Sequence, residues 1–196
     1  MNPTHVFHTP QSRSTRVIWA LEEIGAPYAV TRLTREERRG PEHRARYALG
    51  RVPLIEDEAG YLFESGAIVL ALADRYPDAG LNFAPGTRER ELVYQWVVFV
   101  MAELEPPIVA VRETRETDPA RAAAATERFG EAAALIERAL DGRPFLVGDR
   151  LSAADIMVGE VLGFARAVGL LERFPSLEAY MTALYARPAF AVASAP

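Results

Sequence analysis

The sequence contains no cysteine among its 196 residues. A chain without cysteine has no disulfide framework and no thiolate metal site, and it offers no thiol of its own as a nucleophile. Thiol–disulfide exchange through a protein mixed disulfide is excluded for the same reason. Chemistry at sulfur, if the protein performs any, must use a thiol that the chain binds.

Lysine is also absent, so the 22 basic residues are all arginine. Together with the abundance of alanine, this usage indicates a GC-rich bacterial gene rather than a function. Acidic residues number 27 and give a net charge of −5, which argues against a nucleic-acid partner. The hydrophobic share of 49% and the charged share of 25% are typical of a soluble globular protein of one or two domains.

Long uninterrupted apolar runs are missing as well. The first ten residues lack a basic segment followed by an apolar one, so no signal peptide is predicted. The most apolar stretch, residues 92–111, is interrupted by Gln95, Glu103, Glu105 and two prolines, and we expect no membrane span there. The protein is therefore expected to be cytoplasmic. The three histidines, His5, His8 and His43, show no metal-binding spacing, so no metal site is predicted and His8 is expected to be structural.

The first 33 residues follow a strand, helix, strand pattern. His5–His8 predicts a strand, a helix follows from Ser12 or Ser14 to Ile24, and Tyr28–Leu33 predicts a second strand. Such a unit places its strands parallel with a right-handed crossover. The highly charged residues 34–49 predict an irregular, solvated helix.

The segment GRVPLIEDEAGYLFESG, residues 50–66, predicts a hairpin followed by a helix that runs to Tyr76. The first strand is entered through Val52-Pro53, where a backbone edge is available to a ligand. Ser65 is the predicted N-cap of the helix, whose free N–H groups attract an anion. This segment is therefore suited to hold a small peptide that carries a carboxylate.

Proline and glycine are densest in residues 77–87, which predict an interdomain linker, and beyond it the pattern is entirely helical. A helix from about Thr87 to Thr117 is expected to bend at Pro106-Pro107. Asp118 is expected to cap a helix that runs to Leu140. Ser152 and Asp155 form a near match to a capping box. A last helix is predicted from Pro175.

These segments resemble the glutathione transferase family. The resemblance rests on GRVPLIED…LFESGAIVLALADRYP, on RPFLVGDRLSAADIMVGEVL and on the ARPAF ending, and it covers nearly the whole chain. It implies an α/β thioredoxin-like glutathione-binding domain at residues 1–77, a linker at 78–86 and an all-α domain at 87–196, in a homodimer.

The resemblance also implies how glutathione is held. Pro53 would be cis, and Val52 before it would pair with the cysteinyl backbone of glutathione. Glu64 and Ser65 would receive the γ-glutamyl end, and Arg51 would suit the glycyl carboxylate.

The family activates the thiol of bound glutathione, and the hydroxyl that assists here is left open. Alignment on Arg16-Val17-Ile18 puts the catalytic serine of serine-type members at Gln11, next to Ser12. We rank Ser12 first as the catalytic residue, Ser14 second and Thr9 third. Alternatively, Ser12 or Ser14 is only the N-cap of the first helix.

The function implied is conjugation of glutathione, without a metal, to small hydrophobic electrophiles. The electrophile would sit between the domains, and candidate wall residues are Tyr94, Phe99, Met101, Glu103 and Arg112. Two alternatives stay open: another glutathione-dependent enzyme (isomerase, dehalogenase or peroxidase), and a non-catalytic binding or scaffold protein. The bound thiol could also be a low-molecular-weight thiol other than glutathione.

Overall fold

A computed structural model describes residues 3–195 of the chain. The chain divides into two compact units, one formed by Met1–Asn82 together with Arg187–Pro196 and the other by Phe83–Ala186. The first unit contains the strands β1 (Thr4–His8), β2 (Tyr28–Arg32), β3 (Leu54–Asp57) and β4 (Gly60–Phe63) and the helices α1 (Thr15–Ile24), α2 (Pro41–Arg46) and α3 (Ser65–Arg75), with 3₁₀ turns at Glu37–Arg39 and Pro77–Ala79. The second unit contains α4 (Arg88–Phe99), a π-helical turn (Val100–Leu104), α5 (Glu105–Thr114), α6 (Pro119–Leu140), α7 (Ala153–Ala167) and α8 (Pro175–Tyr185), and the last helix, α9 (Pro188–Ala193), returns to the first unit.

The sheet of the first unit has the order β2-β1-β3-β4. Strand β1 pairs parallel with β2 and antiparallel with β3, and β3 pairs antiparallel with β4 through the turn that precedes Gly60. The parallel pair and the hairpin predicted from the sequence are both present. This is the thioredoxin-like arrangement, followed by a helical unit, so the predicted fold class is confirmed.

Helix α1 packs into the core of the first unit. The spacing of Val17, Ile18, Leu21 and Ile24 predicts one buried stripe; the first three are buried, and Ile24 at the end of the helix is only half-buried. Gly25 ends the helix in the left-handed conformation at φ 71°, and its N–H bonds the carbonyl of Leu21 at 2.9 Å. Glycine suits this position because it has no Cβ to clash with the backbone.

The C-terminal residues pack on α1. Arg187 donates from Nε and Nη2 to the two carboxylate oxygens of Glu23 at 2.6 and 2.8 Å, and Phe190 meets the ring of Trp19 edge-on at 4.9 Å. Residues 187–196, which the sequence-based boundaries place in the C-terminal domain, therefore group with the first unit. Pro188 opens a new helix here, which lets the chain change direction after Tyr185.

The helix predicted from Thr87 contains a change of helical type before its prolines. Thr87 caps α4, and the π-helical turn at Val100–Leu104 is closed by the Glu105 N–H bonding the carbonyl of Val100. Pro106 and Pro107 have no N–H for the carbonyls four residues earlier, which favours this wider turn. The predicted irregularity is present, but it begins six residues before Pro106.

By length and composition, the continuous helix Arg88–Thr114 could cross a membrane, in contrast to the expectation from its interruptions. Core helices of soluble proteins pass the same test. The side chains of Val93, Val97, Val100 and Leu104 on this helix are buried, and 44% of its most apolar window is buried in all.

Helix α7 begins at the predicted capping box. The Asp155 carboxylate accepts the Ser152 N–H and hydroxyl at 2.8 Å each, the Leu146 N–H at 2.8 Å and the Tyr180 hydroxyl at 2.7 Å. Asp155 is fully buried, and this burial raises its pKa although the four hydrogen bonds act in the opposite direction. Asp155 thus holds the Leu146 loop, the start of α7 and α8 together.

We expect Asp155→Ala to destabilise the protein by roughly 3 kcal/mol, because it leaves the buried donors of Leu146, Ser152 and Tyr180 without an acceptor. In a thermal unfolding scan this corresponds to a midpoint about 6–12 °C lower. The matched control is Asp149→Ala, since the Asp149 side chain is 93% exposed. A midpoint for Asp155→Ala equal to that of the control would contradict the structural role of this carboxylate.

Candidate functional site

An open pocket lies in the first unit, where β3 and α3 begin. It is lined by the side chains of charged, aromatic and small residues: Arg13, Tyr47, Arg51, Val52, Pro53, Glu64 and Ser65. The structure therefore brings together five of the six residues predicted to bind the ligand. Gln11 is the exception, because it is exposed on the turn before α1 and does not line the pocket.

The peptide bond between Val52 and Pro53 is cis, as the resemblance implied. The ladder between β1 and β3 starts only at Leu54, after the proline. Within residues 3–195, the amide and carbonyl of Val52 have no backbone partner. A ligand with a peptide backbone could therefore pair with Val52 as an added strand does.

Ser65 lies at the base of the pocket and is 2% exposed. The prediction that it is the N-cap of the helix is wrong by one position, because Glu64 is the N-cap and Ser65 is the first helical residue. Glu64 has φ 70°, a conformation that favours glycine. A non-glycine residue held in this conformation is typical of a ligand-binding site.

Arg16 of α1 fixes the side chain of Ser65 by a hydrogen bond. Its guanidinium is fully buried and donates from Nη1 to Oγ of Ser65 at 3.0 Å. Because a guanidinium can only donate, Ser65 is the acceptor in this bond and keeps its own hydroxyl hydrogen for another acceptor. A carboxylate at the positive end of α3 is a suitable one.

Two lining residues were missed from the sequence, Arg13 and Tyr47. The Tyr47 ring stacks on Phe63 at 4.5 Å, and its hydroxyl donates to Glu64 at 3.2 Å. Burial, and then the Glu64 carboxylate, raise the pKa of Tyr47. Nothing in the local sequence indicates that Tyr47 or Arg13 reaches this pocket.

The backbone before Val52 is held by His43 of α2. His43 is 1% exposed, and its Nε2 lies 2.8 Å from the carbonyl oxygen of Arg51. The Phe7 ring packs beside it with a centroid distance of 5.7 Å. A buried histidine therefore fixes the segment that presents the Val52 edge.

The predicted catalytic serines form a separate hydrogen-bonded group at the turn before α1. Ser12 donates to the carbonyl of Thr9 at 2.6 Å and contacts Oγ of Ser14 at 2.7 Å. Ser14 is fully buried, and its Oγ lies 2.8 Å from Nδ1 of His8. Thr9 uses its hydroxyl to donate to the Leu33 carbonyl at 2.8 Å.

Helix α1 begins at Thr15 with Ser14 as the N-cap, but no serine side chain caps it. Neither Ser12 nor Ser14 is among the residues that line the pocket, whereas Arg13 between them is. Ser12 is half-buried, so of the two serines it is the one that a ligand can reach.

His8 ends β1 and is 2% exposed. Burial, and to a smaller extent the positive charge of Arg32, lower its pKa from 6.5 to about 4. His8 is therefore neutral at physiological pH. The expectation that it is structural agrees with its burial, and its bond to Ser14 connects it to the candidate catalytic turn.

The predicted wall residues lie along the helix Arg88–Thr114 of the second unit. Tyr94 is partly exposed there and its hydroxyl accepts from Nε of Arg90 at 2.7 Å. Among residues 3–195 no group of three or more histidine, aspartate or glutamate side chains is arranged to hold a metal ion.

Sequence profiles of two domains match the chain. The profile described as "Glutathione S-transferase, N-terminal domain" matches residues 2–74, and that described as "Glutathione S-transferase, C-terminal domain" matches residues 119–183. Curated relatives include glutathione S-transferase F11 of Arabidopsis thaliana, 30% identical over 81% of this chain and 80% of the relative. Glutathione S-transferase 4 of Zea mays is 29% identical over 89% of this chain and 84% of its own length.

Solved structures give the same result. A sphingomonad glutathione S-transferase complexed with glutathione superposes with a TM-score of 0.87 at 29% identity, covering 97% of this chain and 96% of that one. The ternary complex of BphK, a bacterial transferase, has a TM-score of 0.88 at 28% identity and covers 97% of both chains. Ure2p in complex with glutathione, at 22% identity, has a TM-score of 0.87, covers 97% of this chain and 98% of its own, and shares the fold.

The lowered pKa of His8 predicts how stability depends on pH. The unfolded chain protonates His8 below about pH 6.5 and the folded chain only near pH 4, so its contribution is complete above pH 6.5 and is lost as the pH falls. Between about pH 7 and about pH 4.5 the free energy of unfolding should therefore fall by about 2 kcal/mol, measured by urea unfolding. His8→Gln has no titrating group at this position, so the free energy of unfolding of this variant should fall over the same interval by about 2 kcal/mol less than that of the wild type. Equal losses in both proteins would refute the assignment to His8.

Proposed function

Because the chain belongs to the glutathione S-transferase family, we propose that it binds glutathione in the pocket between Val52 and Ser65 and conjugates it to small hydrophobic electrophiles. The observation that carries this proposal is the position of the open Val52 backbone edge beside Ser65 at the start of α3. A tripeptide needs both features, one for its backbone and one for its carboxylate. We further propose that the enzyme acts in the cytoplasm as a homodimer.

The charges of the pocket match those of glutathione. Arg13 and Arg51 supply positive charge for its two carboxylates, and Glu64 supplies negative charge for its α-amino group. The Ser65 hydroxyl, with its hydrogen available, is suited to the γ-glutamyl carboxylate. Positive and negative side chains in the same pocket favour a zwitterionic peptide over a simple anion.

The chemical step requires the thiolate of glutathione. A free thiol has a pKa of about 8.5, and one hydroxyl donor with the positive end of α1 can lower it by about one unit. In our proposal Ser12 supplies this hydroxyl, because it lies at the start of α1 and is reachable. The thiolate then forms a sulfur–carbon bond with an aromatic chloride, the carbon–chlorine bond breaks and chloride leaves, while the thiol proton passes to solvent.

A second candidate function is binding of glutathione without turnover. The observation that favours it is the inward orientation of the serine group: Ser12 donates to Thr9 and Ser14 is buried. An isomerase, dehalogenase or peroxidase would use the same glutathione site, and so would an enzyme of another low-molecular-weight thiol. Calorimetric titration with glutathione, followed by turnover assays, separates binding from catalysis.

Ser65→Ala should weaken glutathione binding by about 1–3 kcal/mol, since it removes a hydroxyl donor to a buried carboxylate. Isothermal titration calorimetry measures this change. Ser194→Ala is a matched control on an exposed serine of the same unit and should leave the affinity unchanged. Equal affinities of both variants and the wild type would place the γ-glutamyl group elsewhere.

Ser12→Ala should lower kcat for a chlorinated nitrobenzene by about tenfold or more, with little change in the KM for glutathione. Its hydroxyl would act on the thiolate and not on the peptide part of the ligand. Steady-state kinetics with both substrates test this, with Ser194→Ala again as the control. Full turnover by the Ser12→Ala enzyme would remove Ser12 from the mechanism.

A further inference from the structure

Three short contacts connect His8 to the turn before α1. Nδ1 of His8 lies 2.8 Å from Oγ of Ser14, Oγ of Ser14 lies 2.7 Å from Oγ of Ser12, and Oγ of Ser12 lies 2.6 Å from the carbonyl oxygen of Thr9. Each distance is that of a hydrogen bond, so each contact needs one hydrogen between its two atoms.

Only one arrangement supplies a hydrogen to all three contacts. The Thr9 carbonyl can only accept, so the hydroxyl hydrogen of Ser12 belongs to the 2.6 Å contact. The Ser14 hydroxyl must then donate to Ser12, and Nδ1 of His8 must donate to Ser14. If Ser14 donated to Nδ1 instead, one of the two remaining oxygen–oxygen contacts would hold no hydrogen and would be repulsive at its distance.

One other contact of Ser14 competes with this direction, because the Thr9 carbonyl oxygen lies 3.2 Å from Oγ of Ser14 and could also accept its hydrogen. The contact with Ser12 is the shorter of the two at 2.7 Å, and two backbone donors agree with it. The backbone N–H of Thr9 points to Oγ of Ser14 at 3.2 Å, and the backbone N–H of Ser14 points to Oγ of Ser12 at 3.3 Å. Ser14 therefore accepts two hydrogens, from Nδ1 and from Thr9, which fills its lone pairs and leaves its own hydrogen to donate.

We propose that His8 is a positioning residue which, as the Nδ1-protonated neutral tautomer, directs Ser14 and through it makes Ser12 a hydrogen-bond donor to the thiolate of bound glutathione. This inference rests on the proposed function of Ser12. In the ligand-free protein the Ser12 hydrogen goes to Thr9. Donation to the thiolate requires Oγ of Ser12 to move away from the Thr9 carbonyl, because the 2.6 Å contact would otherwise hold no hydrogen. Ser12 cannot turn inward instead, because Ser14 has no lone pair left to accept from it.

The surroundings of His8 keep it in the state that this arrangement requires. His8 is 2% exposed, and Arg32, its register partner on β2, places a positive charge near it. Both effects lower its pKa to about 4, so the ring is neutral at working pH and the position of its single ring hydrogen matters.

The tautomer can be measured on the unaltered protein. Nitrogen-15 chemical shifts of the His8 ring near neutral pH distinguish a hydrogen on Nδ1 from one on Nε2. The expected result is protonation at Nδ1, with or without glutathione. Protonation at Nε2 would overturn the inference whether or not the protein is a transferase.

The role of His8 is tested with two isosteric variants. The amide nitrogen of His8→Asn can occupy the place of Nδ1 and donate to Ser14, whereas that of His8→Gln lies near the place of Nε2. The readout is the pKa of the bound glutathione thiol, which is obtained from the ultraviolet absorbance of the thiolate as the pH is varied. We expect His8→Gln and Ser14→Ala to raise it by about one unit, and His8→Asn to keep it near the wild-type value.

Binding and folding are checked in the same series. The Kd for glutathione should change by less than about twofold in all three variants, since none of these side chains lines the pocket. If Ser12→Ala raises the thiol pKa but His8→Gln and Ser14→Ala do not, the inference fails and the proposed function stands. If Ser12→Ala has no effect on the thiol pKa, the inference fails together with the role proposed for Ser12, and if glutathione does not bind, the inference and the proposed function both fail.

Discussion

The hydrogen bond from Arg16 to Ser65 is the contact on which the candidate site most depends. A guanidinium that is fully removed from water must be compensated by acceptors, or the fold loses several kcal/mol. By placing this charge on α1 and one of its acceptors on α3, the chain fixes the two helix starts that border the site. Oγ of Ser65 therefore accepts a hydrogen bond from Arg16 and can donate its own hydrogen to the ligand.

Around this contact the site is assembled from buried side chains that do not themselves touch a ligand. His43 holds the carbonyl of Arg51 and with it the backbone edge at Val52. His8 holds Ser14, and Ser14 holds Ser12. In both places a buried histidine sets the geometry of a neighbouring segment, so the pocket is preorganised by residues behind it. Preorganisation of this kind lowers the entropy lost on binding.

Sequence patterns predicted most of the fold because the relevant interactions are local. The stripe of Val17, Ile18 and Leu21 and the glycine at position 25 are sufficient to place α1, and the Ser152–Asp155 pair is sufficient to place the start of α7. Where long-range packing decides, the prediction was incomplete. Residues 187–196 follow the second unit in sequence, yet they pack on Trp19 and Glu23 of α1. The π-helical turn has a local cause, the missing N–H groups of Pro106 and Pro107, so the sequence predicted an irregularity here, but not that it begins as early as Val100.

The sequence by itself determined that the protein has no thiol of its own, that a thioredoxin-like unit precedes a helical one, and that Val52, Pro53, Glu64 and Ser65 belong to one segment. These properties depend on composition and on residues near one another in the chain. Only the tertiary structure decided that Arg13 and Tyr47 line the pocket, that Gln11 does not, and that His8 contacts Ser14. Each of these depends on which side chains point toward one another across 6 to 50 or so positions of sequence, and no local pattern encodes such directions.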